Sequence, residues 1–260
     1  LIACQGTEGA YAQQACEKLF EYPDILYFDR FEGVFSAVEK GMCEYGVLPV
    51  ENSTAGSVTQ VYDLMERHSF HIVGARRLRV NHCLLRRPGA TGPVRKIVSH
   101  EQALRQCSEY FSAHPEIQAV PMSNTAVAAE TVANTEEEGV AAIASRACAE
   151  LYGLEIVAED IGNVQNNSTR FLCISRKPEI YPGARKMSVM FRLPHEPGTL
   201  SEILSRISAA GVNLTKLESR PIPGRDFEFR FFFDMEGDPR NPDIQRLISE
   251  LESRTEHFVF

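Results

Sequence analysis

The chain has 260 residues, of which 43% are hydrophobic and 24% are charged, and its formal net charge is −8 at pH 7. This composition is typical of an ordinary globular protein with room for two domains, and the acidic balance argues against nucleic acid as the main partner. No apolar run approaches the roughly 20 residues that a membrane span requires, so we expect no membrane partner.

Seven cysteines lie at scattered positions without a Cys-x-x-Cys pair, which is typical of reduced thiols in a cytoplasmic protein. The histidines likewise lack the spacing of zinc ligands. We therefore expect neither a disulfide framework nor a metal site.

Up to about Lys177, short apolar strands alternate with amphipathic helices. The pattern predicts strands at 1–4, 45–50, 72–73, 83–85, 96–98, 117–121 and 140–143, and helices at 11–20, 31–38, 58–65, 101–113, 125–134 and 145–152. This alternation indicates an α/β fold with a largely parallel sheet, which binds ligands beyond the carboxyl ends of its strands.

Pro182 and Gly183 mark a linker, which we place at 179–186. Beyond it, the pattern predicts strands at 187–193, 213–220, 227–234 and 257–260, with helices around 200–207 and 244–251. This βαββαβ order is that of a ferredoxin-like unit.

Thr169 and Arg170 stand directly before an apolar run that is typical of a buried strand. A guanidinium can hold a carboxylate with two hydrogen bonds, and a hydroxyl can donate to an oxygen beside it. Side by side, the two suit a small anionic substrate with a departing hydroxyl. A polar turn with a surface arginine is an equally weighted alternative.

Polar clusters recur where strands of the first domain give way to helices, at 5–9, 51–56, 99–102 and 123–125. Free backbone N–H groups and the helix dipole favour an anion at such positions, although Ser, Thr and Asn are also the ordinary helix caps. Four clusters on one sheet, together with Thr169 and Arg170, favour a shared anion pocket over capping alone.

Ordered motifs along almost the whole chain resemble those of prephenate dehydratases with a C-terminal ACT regulatory domain. The motifs are Gly-Thr-Glu-Gly-Ala-Tyr at 6–11, Gly-Val-Leu-Pro-Val-Glu-Asn-Ser at 46–53, Ser-His with the following glutamines at 99–107, Ala-Ala-Ile-Ala-Ser at 141–145, Asn-Ser-Thr-Arg-Phe at 167–171, Pro-Gly-Thr-Leu at 197–200 and Leu-Glu-Ser-Arg-Pro at 217–221.

The resemblance implies a two-lobed catalytic domain similar to periplasmic-type binding proteins, followed by a ferredoxin-like ACT domain. We expect the catalytic domain at 1–178, with lobe one at 1–78 and 158–178 and lobe two at 79–157, and the ACT domain at 187–260.

The resemblance also implies decarboxylating dehydration of prephenate to phenylpyruvate in phenylalanine biosynthesis, with no metal or organic cofactor. It implies catalytic roles for Thr169, Arg170, Asn52, Ser53 and Thr54, with Thr169 hydrogen-bonded to the leaving hydroxyl and Arg170 on a carboxylate. The implied substrate-binding residues are Thr7, Gly9, Ser99, Gln102, Ser123, Thr125, Asn167 and Phe171.

For the ACT domain, the resemblance implies feedback inhibition by L-phenylalanine, bound at an interface between chains of a homo-oligomer. The expected effector residues are Gly198, Thr199, Leu200, Asn213, Leu214, Glu218, Ser219 and Arg220. A glycine there lets a ligand approach the backbone closely, and an asparagine side chain can accept from an ammonium group. Without the resemblance, Gly198 and Asn213 would be taken as turn residues.

Two alternatives to prephenate dehydration remain. The same chemistry on an amino acid would make the chain an arogenate dehydratase. A non-catalytic amino-acid sensor is a different class of function. Thr169 and Arg170 argue against the sensor. The start at 4–9 resembles that of relatives fused behind a chorismate mutase, so we expect such a domain upstream.

Overall fold

The computed structural model describes residues 1–225 and 228–260, so Phe227, where the strand predicted at 227–234 would begin, lies outside the described residues. The chain divides into two compact units. One comprises Leu1–Phe70 and Gly74–Arg176, and the other comprises Lys177–Phe260 with His71–Val73.

The alternation of strands and helices predicted up to Lys177 is present. The elements are β1 (Ile2–Gln5), α1 (Tyr11–Leu19), β2 (Ile25–Phe28), α2 (Phe31–Glu39), β3 (Tyr45–Asn52), β4 (Gly56–Ser57), α3 (Thr59–Met65), β5 (His71–Arg79), β6 (Cys83–Arg86), β7 (Lys96–His100), α4 (Glu101–Gln106), α5 (Ser108–Ala113), β8 (Gln118–Met122), α6 (Thr125–Asn134), β9 (Val140–Ala144), α7 (Arg146–Tyr152), β10 (Glu155–Ala158) and β11 (Ser168–Ser175).

These strands form two sheets, with order β2-β1-β3-β11-β5 plus β4 on β3, and β10-β6-β9-β7-β8. The sheets are mixed, not largely parallel. β1 runs parallel to β2 and β3, and β7 runs parallel to β8 and β9, but β11, β6 and β10 each pair in an antiparallel sense.

The cores follow from the sequence pattern. β9 is apolar throughout and fully buried, and alanines line the buried face of α6, so helix and sheet approach closely. In the first sheet, Ile2 and Cys4 of β1 pack with Val47 and Phe171 against α1. Both cores lie between a sheet and the helices packed on it, so the ends of the strands remain free for polar residues.

Several predicted boundaries were wrong. The helix expected over 101–113 is two short helices, because Cys107 leaves the α-helical region at φ −113° and ψ 23° and its N–H bonds to the carbonyl of Leu104. The strands β2, β4 and β10 were not predicted. β2 and β10 are four-residue strands whose side chains are only partly covered, so their apolar pattern is weak.

The second unit has the predicted βαββαβ order. Its elements are β12 (Lys186–Arg192), α8 (Thr199–Ala209), β13 (Asn213–Pro221), β14 (Phe229–Glu236), α9 (Pro242–Arg254) and β15 (Glu256–Val259). The sheet order is β13-β14-β12-β15, which is the ferredoxin-like arrangement. Phe191, Phe233 and Met235 lie in the core beneath the two helices.

Candidate active site

The sheet topology gathers the polar loops at two edges. β1 and β3 run parallel, so Thr7 and Asn52 follow strand ends on the same edge of the first sheet, and the antiparallel β11 starts there. In the second sheet, the ends of β7, β8 and β9 and the start of β6 share one edge in the same way. Most of the residues predicted for the site lie at these edges.

Asn52 is the centre of a hydrogen-bond network at the first edge, and it is 7% exposed. Its Oδ1 accepts from the backbone N–H groups of Thr54 and Ala55, at 3.1 and 3.0 Å, and from the Thr54 hydroxyl at 2.7 Å. Its Nδ2 donates to Asn167 Oδ1 at 2.8 Å and to Thr169 Oγ1 at 3.0 Å.

The orientation of the Asn52 amide is decided by the backbone. A flipped amide would direct the NH₂ group of Asn52 at two N–H donors, which cannot accept. Asn52 therefore presents donors to Asn167 and Thr169, and the Thr169 hydroxyl serves as an acceptor for Asn52. The proton of Thr169 remains for donation to another group.

Gln106 of α4 links the second sheet to this network. Its Nε2 donates to Thr54 Oγ1 at 2.7 Å, and its Oε1 accepts from Asn167 Nδ2 at 3.1 Å. His82, which stands just before β6, contacts the same oxygen with Nε2 at 2.8 Å. The two sheets are thus bridged by uncharged amide, hydroxyl and imidazole groups.

A cleft of about 540 Å³ adjoins the network. Its lining includes Ala55, Val80 and Val164 and the polar residues Thr54, Asn81, His82, His100, Glu101, Gln102, Arg105, Gln106, Asp160, Asn163 and Asn167. A cavity of this size suits a small molecule, since ligand pockets are about 300–1,000 Å³.

Thr169 and Arg170 occupy consecutive positions of β11, paired with Asn52 and Glu51 of β3 respectively. Successive side chains of a strand point to opposite faces. Because Thr169 shares its face with Asn52, Arg170 is directed to the face that carries Glu51. The side-by-side presentation expected from the sequence is therefore not what the strand geometry provides.

Ser99 and Phe171 lie away from the cleft. Ser99 is fully buried, and its hydroxyl donates to the carbonyl of Ile143 at 2.6 Å on the neighbouring strand. Phe171 is 3% exposed and packs in the core of the first sheet. In this structure both residues support their sheets from within.

Ser53 joins β3 to the start of β11, because its N–H donates to the Ser168 carbonyl and its Oγ accepts from the Ser168 N–H, both at 2.9 Å. Gln102 lies in the cleft lining, on the first turn of α4. Ser53 thus holds the polar loop in place, and Gln102 is open to a ligand.

Thr7 and Gly9 form the turn between β1 and α1. The Thr7 hydroxyl is buried without a hydrogen-bond partner among the described residues. Gly9 has φ +85°, and a Cβ there would approach Leu151 Cδ2 and Cys148 Sγ at 3.1 and 3.2 Å, so only glycine fits. The turn therefore packs tightly against α7 of the second sheet.

Ser123 and Thr125 flank Asn124, whose side chain caps α6 by accepting from the Val127 N–H at 2.8 Å. Asn124 is therefore the cap of α6, and the hydroxyls of Ser123 and Thr125 do not have that role.

Gln106 and His82 are not among the residues that the sequence predicts for the site. Gln106 could have been predicted, because it lies four residues after Gln102 and therefore on the same face of the helix. For His82 the pattern is weaker: Asn81 and His82 are polar residues that interrupt an apolar stretch directly before β6.

Burial determines the protonation of His82. The ring is 4% exposed, and this burial lowers its pKa, partly opposed by the hydrogen bond to Gln106. Nearby, the Tyr11 hydroxyl donates to the carbonyl of Asn81 at 2.6 Å, and burial raises the pKa of Tyr11 far above its usual range. At neutral pH both groups are therefore uncharged.

In the second unit, a smaller cavity of about 220 Å³ opens at the start of α8. Gly198, Thr199 and Leu200 line it together with Phe229 and Phe231 of β14. Gly198 has φ +93°, and a Cβ there would meet open space. The carbonyls of Pro194 and Glu196 both lie 3.1 Å from Thr199 Oγ1 and share its one proton within the loop.

The other expected effector residues lie on β13, outside the lining of this cavity. Asn213 Nδ2 donates to Glu236 Oε2 at 2.9 Å, Leu214 packs on the core, and Lys216 Nζ lies 3.6 Å from Glu218 Oε2. Ser219 and Arg220 pair with Phe231 and Arg230. The cavity and the β13 residues thus form two separate groups.

The model of the prephenate dehydratase family matches residues 2–179, and that of the ACT domain matches residues 187–253. The chain belongs to the prephenate dehydratase family. It is accordingly a hydro-lyase of the prephenate/arogenate dehydratase family with an ACT regulatory domain, and its fold class is the one predicted.

The chain is similar to enzymes described for more than one activity, as two relatives show. It is 37% identical to arogenate dehydratase/prephenate dehydratase 2 of Arabidopsis thaliana, over 96% of this chain and 69% of that protein. It is also 37% identical to the bifunctional chorismate mutase/prephenate dehydratase of Neisseria gonorrhoeae, over 97% of this chain and 71% of that protein.

Two solved structures share the whole fold. A prephenate dehydratase from Arthrobacter aurescens in complex with L-Phe has a TM-score of 0.88 at 27% identity, covering 100% of this chain and 88% of that one. GqqA, described as a novel type of quorum quenching acylase, has a TM-score of 0.89 at 34% identity, covering 99% of this chain and 95% of that one.

Within residues 1–225 and 228–260, no group of three or more His, Cys, Asp or Glu side chains could hold a metal ion. No helix in the described part of the chain is long and apolar enough to cross a membrane.

Proposed function

We propose that the chain converts prephenate, with one proton, into phenylpyruvate, carbon dioxide and water. Loss of the ring carboxylate supplies the electron pair that expels the ring hydroxyl, and aromatisation drives the reaction. The protein's task is to bind a dianion and to assist departure of the hydroxyl.

The observation that carries this proposal is the orientation of the Asn52 amide. Asn52 donates to Thr169, so the Thr169 proton is available to the departing hydroxyl. A threonine hydroxyl is a weak acid, so we assign it a strong hydrogen bond in the transition state, without full proton transfer. Assistance of this kind contributes about 10²–10⁴ in rate.

The substrate carboxylates would be held by further groups at the same sheet edges. Thr7 has a buried hydroxyl for which a carboxylate oxygen would be an acceptor, and Gln102 lines the cleft. The hydroxyls of Ser123 and Thr125 can donate to a carboxylate in the same way. The family motif assigns Arg170 to a carboxylate. Phe171 and Ser99 would act by supporting the sheets.

Arogenate is the alternative substrate, and named relatives of this chain include enzymes described for both substrates. Arogenate carries an ammonium group where prephenate has a carbonyl, so the two dehydrations yield L-phenylalanine and phenylpyruvate respectively. Acyl transfer, the reaction suggested by the description of GqqA, requires an activated nucleophile. Thr54 donates to Asn52 and accepts from Gln106, so no base takes its proton.

One experiment separates these functions. The purified protein is incubated in parallel with prephenate, arogenate and an N-acyl homoserine lactone, and phenylpyruvate, L-phenylalanine and free homoserine lactone are quantified. We expect phenylpyruvate to form fastest. If only arogenate is converted, arogenate and not prephenate is the substrate. If none of the three compounds is converted, the sensor hypothesis remains.

We further propose that L-phenylalanine binds the ACT domain and inhibits the dehydratase. Support comes from the cavity at Gly198 and from the L-Phe complex of the A. aurescens relative. β13 is an edge strand in the described sheet, so its backbone can pair with a second copy and form a homo-oligomer. Effector binding must favour a less active state for inhibition to follow.

A further inference from the structure

His82 is a buried imidazole with one ring nitrogen unaccounted for. It is 4% exposed and lines the cleft. Its Nε2 lies 2.8 Å from Gln106 Oε1, whereas Nδ1 is buried with no hydrogen-bond partner among the described residues. A buried polar atom without a partner destabilises the folded state, so its presence beside a cleft requires an explanation.

The tautomer of this ring follows from the hydrogen-bond network. The backbone N–H groups of Thr54 and Ala55 fix Asn52 Oδ1 as an acceptor, so Asn52 Nδ2 donates to Asn167 Oδ1. Asn167 must then present Nδ2 to Gln106, whose Oε1 accepts it at 3.1 Å. The atom of Gln106 that faces His82 is thus an oxygen, and His82 Nε2 must carry the proton.

We propose that His82 is a positioning residue for the dehydration reaction: its Nε2–H holds Gln106 Oε1 in place, so that the opposite end of that amide donates to Thr54. The inference rests on the proposed function of the cleft. The Gln106 amide connects the second sheet to Thr54 and Asn167. His82 Nε2 contacts the oxygen of the same amide.

The lone pair of the neutral ring lies on Nδ1, and burial favours this uncharged form. A second proton on Nδ1 would be a buried donor without an acceptor, and burial already lowers the pKa of this group. The titratable and charged groups that line the same cleft are His100, Glu101, Arg105 and Asp160, while Tyr11 bonds to the neighbouring Asn81. Protonation on Nδ1 would leave the Nε2–H donor in place, so the hydrogen bond to Gln106 requires only the proton on Nε2.

The direct test is nitrogen-15 NMR of the histidine rings in the full chain at pH 7.5, with His82 assigned by comparison with His82→Gln. We expect a neutral ring protonated on Nε2. A neutral ring protonated on Nδ1 would overturn the proposal, because Nε2 could then not donate to Gln106. This readout does not depend on activity, so it is distinguishable from failure of the proposed dehydration.

The second test uses a matched pair of variants. Glutamine can place its amide nitrogen where His82 has Nε2, whereas asparagine mimics the Nδ1 side and does not reach Gln106. We expect His82→Gln to retain kcat within about threefold, and His82→Asn to lose about tenfold in kcat, the worth of one hydrogen bond of about 1.4 kcal/mol. Equal kcat per folded molecule in the two variants would contradict the proposal.

Discussion

Thr169 accepts a hydrogen bond from the side-chain amide of Asn52, with 3.0 Å between Asn52 Nδ2 and Thr169 Oγ1. Two backbone N–H groups fix the sense of this bond, because they occupy the oxygen of the Asn52 amide. A hydroxyl that already accepts can still donate, so the bond directs the reactivity of Thr169 without consuming its proton.

Removal of that hydroxyl should abolish most of the activity. We expect Thr169→Ala to fold normally and to lose at least about 10²-fold in kcat with a modest change in KM, because an interaction made in the transition state is lost. Thr169→Ser, which keeps the hydroxyl, is the control and should stay within about tenfold. Steady-state kinetics with prephenate check both, and near wild-type turnover of Thr169→Ala would remove Thr169 from the mechanism.

Reversal of the hydrogen bond should be as damaging as its loss. In Asn52→Asp the carboxylate can only accept, so the Thr169 proton would turn towards residue 52 and away from the substrate. We expect about a 10²-fold loss of kcat with little further loss in the double variant with Thr169→Ala, since coupled residues are not additive. Fully additive effects in this double-mutant cycle would show that the two residues act independently.

Arg170→Lys should weaken prephenate binding although the charge is kept, because an ammonium group cannot reproduce a bidentate clamp. We expect a loss of roughly 1.5–3 kcal/mol, the worth of a hydrogen bond to a charged group, seen as an increase in KM. Arg176→Lys, just past the far end of β11, serves as the control. Unchanged KM in Arg170→Lys would make Arg170 a structural residue on the Glu51 face.

The buried neutral state of His82 should make the protein less stable in acid. Its pKa is lowered in the folded chain, so as the pH falls below the ordinary histidine value of about 6.5 the unfolded chain binds more protons than the folded one. The free energy of unfolding therefore decreases until the folded pKa is reached. Urea titrations between pH 7.5 and 5 should show a shallower decrease for His82→Gln than for the wild type.

Gly198→Val should abolish L-phenylalanine binding and leave an active, desensitised dehydratase, because the side chain would fill the cavity at the start of α8. Gly211→Val is a matched control, since Gly211 also has positive φ with open space around a Cβ but follows the other end of the same helix. The backbone strain is then similar in both, about 1–3 kcal/mol. Calorimetry that finds unaltered L-phenylalanine affinity in Gly198→Val would place the effector site elsewhere.

The sequence by itself determined the alternation of strands and helices, the βαββαβ order of the last unit and the family. Periodicity is a local property, and motifs such as Thr-Arg-Phe at 169–171 are read directly from the chain. It also indicated that Asn52, Thr54, Gln102, Asn167 and Thr169 belong together, because polar residues followed strand ends and matched the family motifs.

The tertiary structure alone decided how these residues act. The antiparallel entry of β11 beside β3 pairs Thr169 with Asn52 and sends Arg170 to the other face. The hydrogen bond between Gln106 and Thr54 spans 52 positions of sequence, and that between Asn52 and Asn167 spans 115. The direction of donation from Asn52 to Thr169 combines a local turn, in which the Thr54 and Ala55 N–H groups occupy Asn52 Oδ1, with the pairing of β3 and β11. That pairing joins distant parts of the chain and exists only once the first sheet has formed.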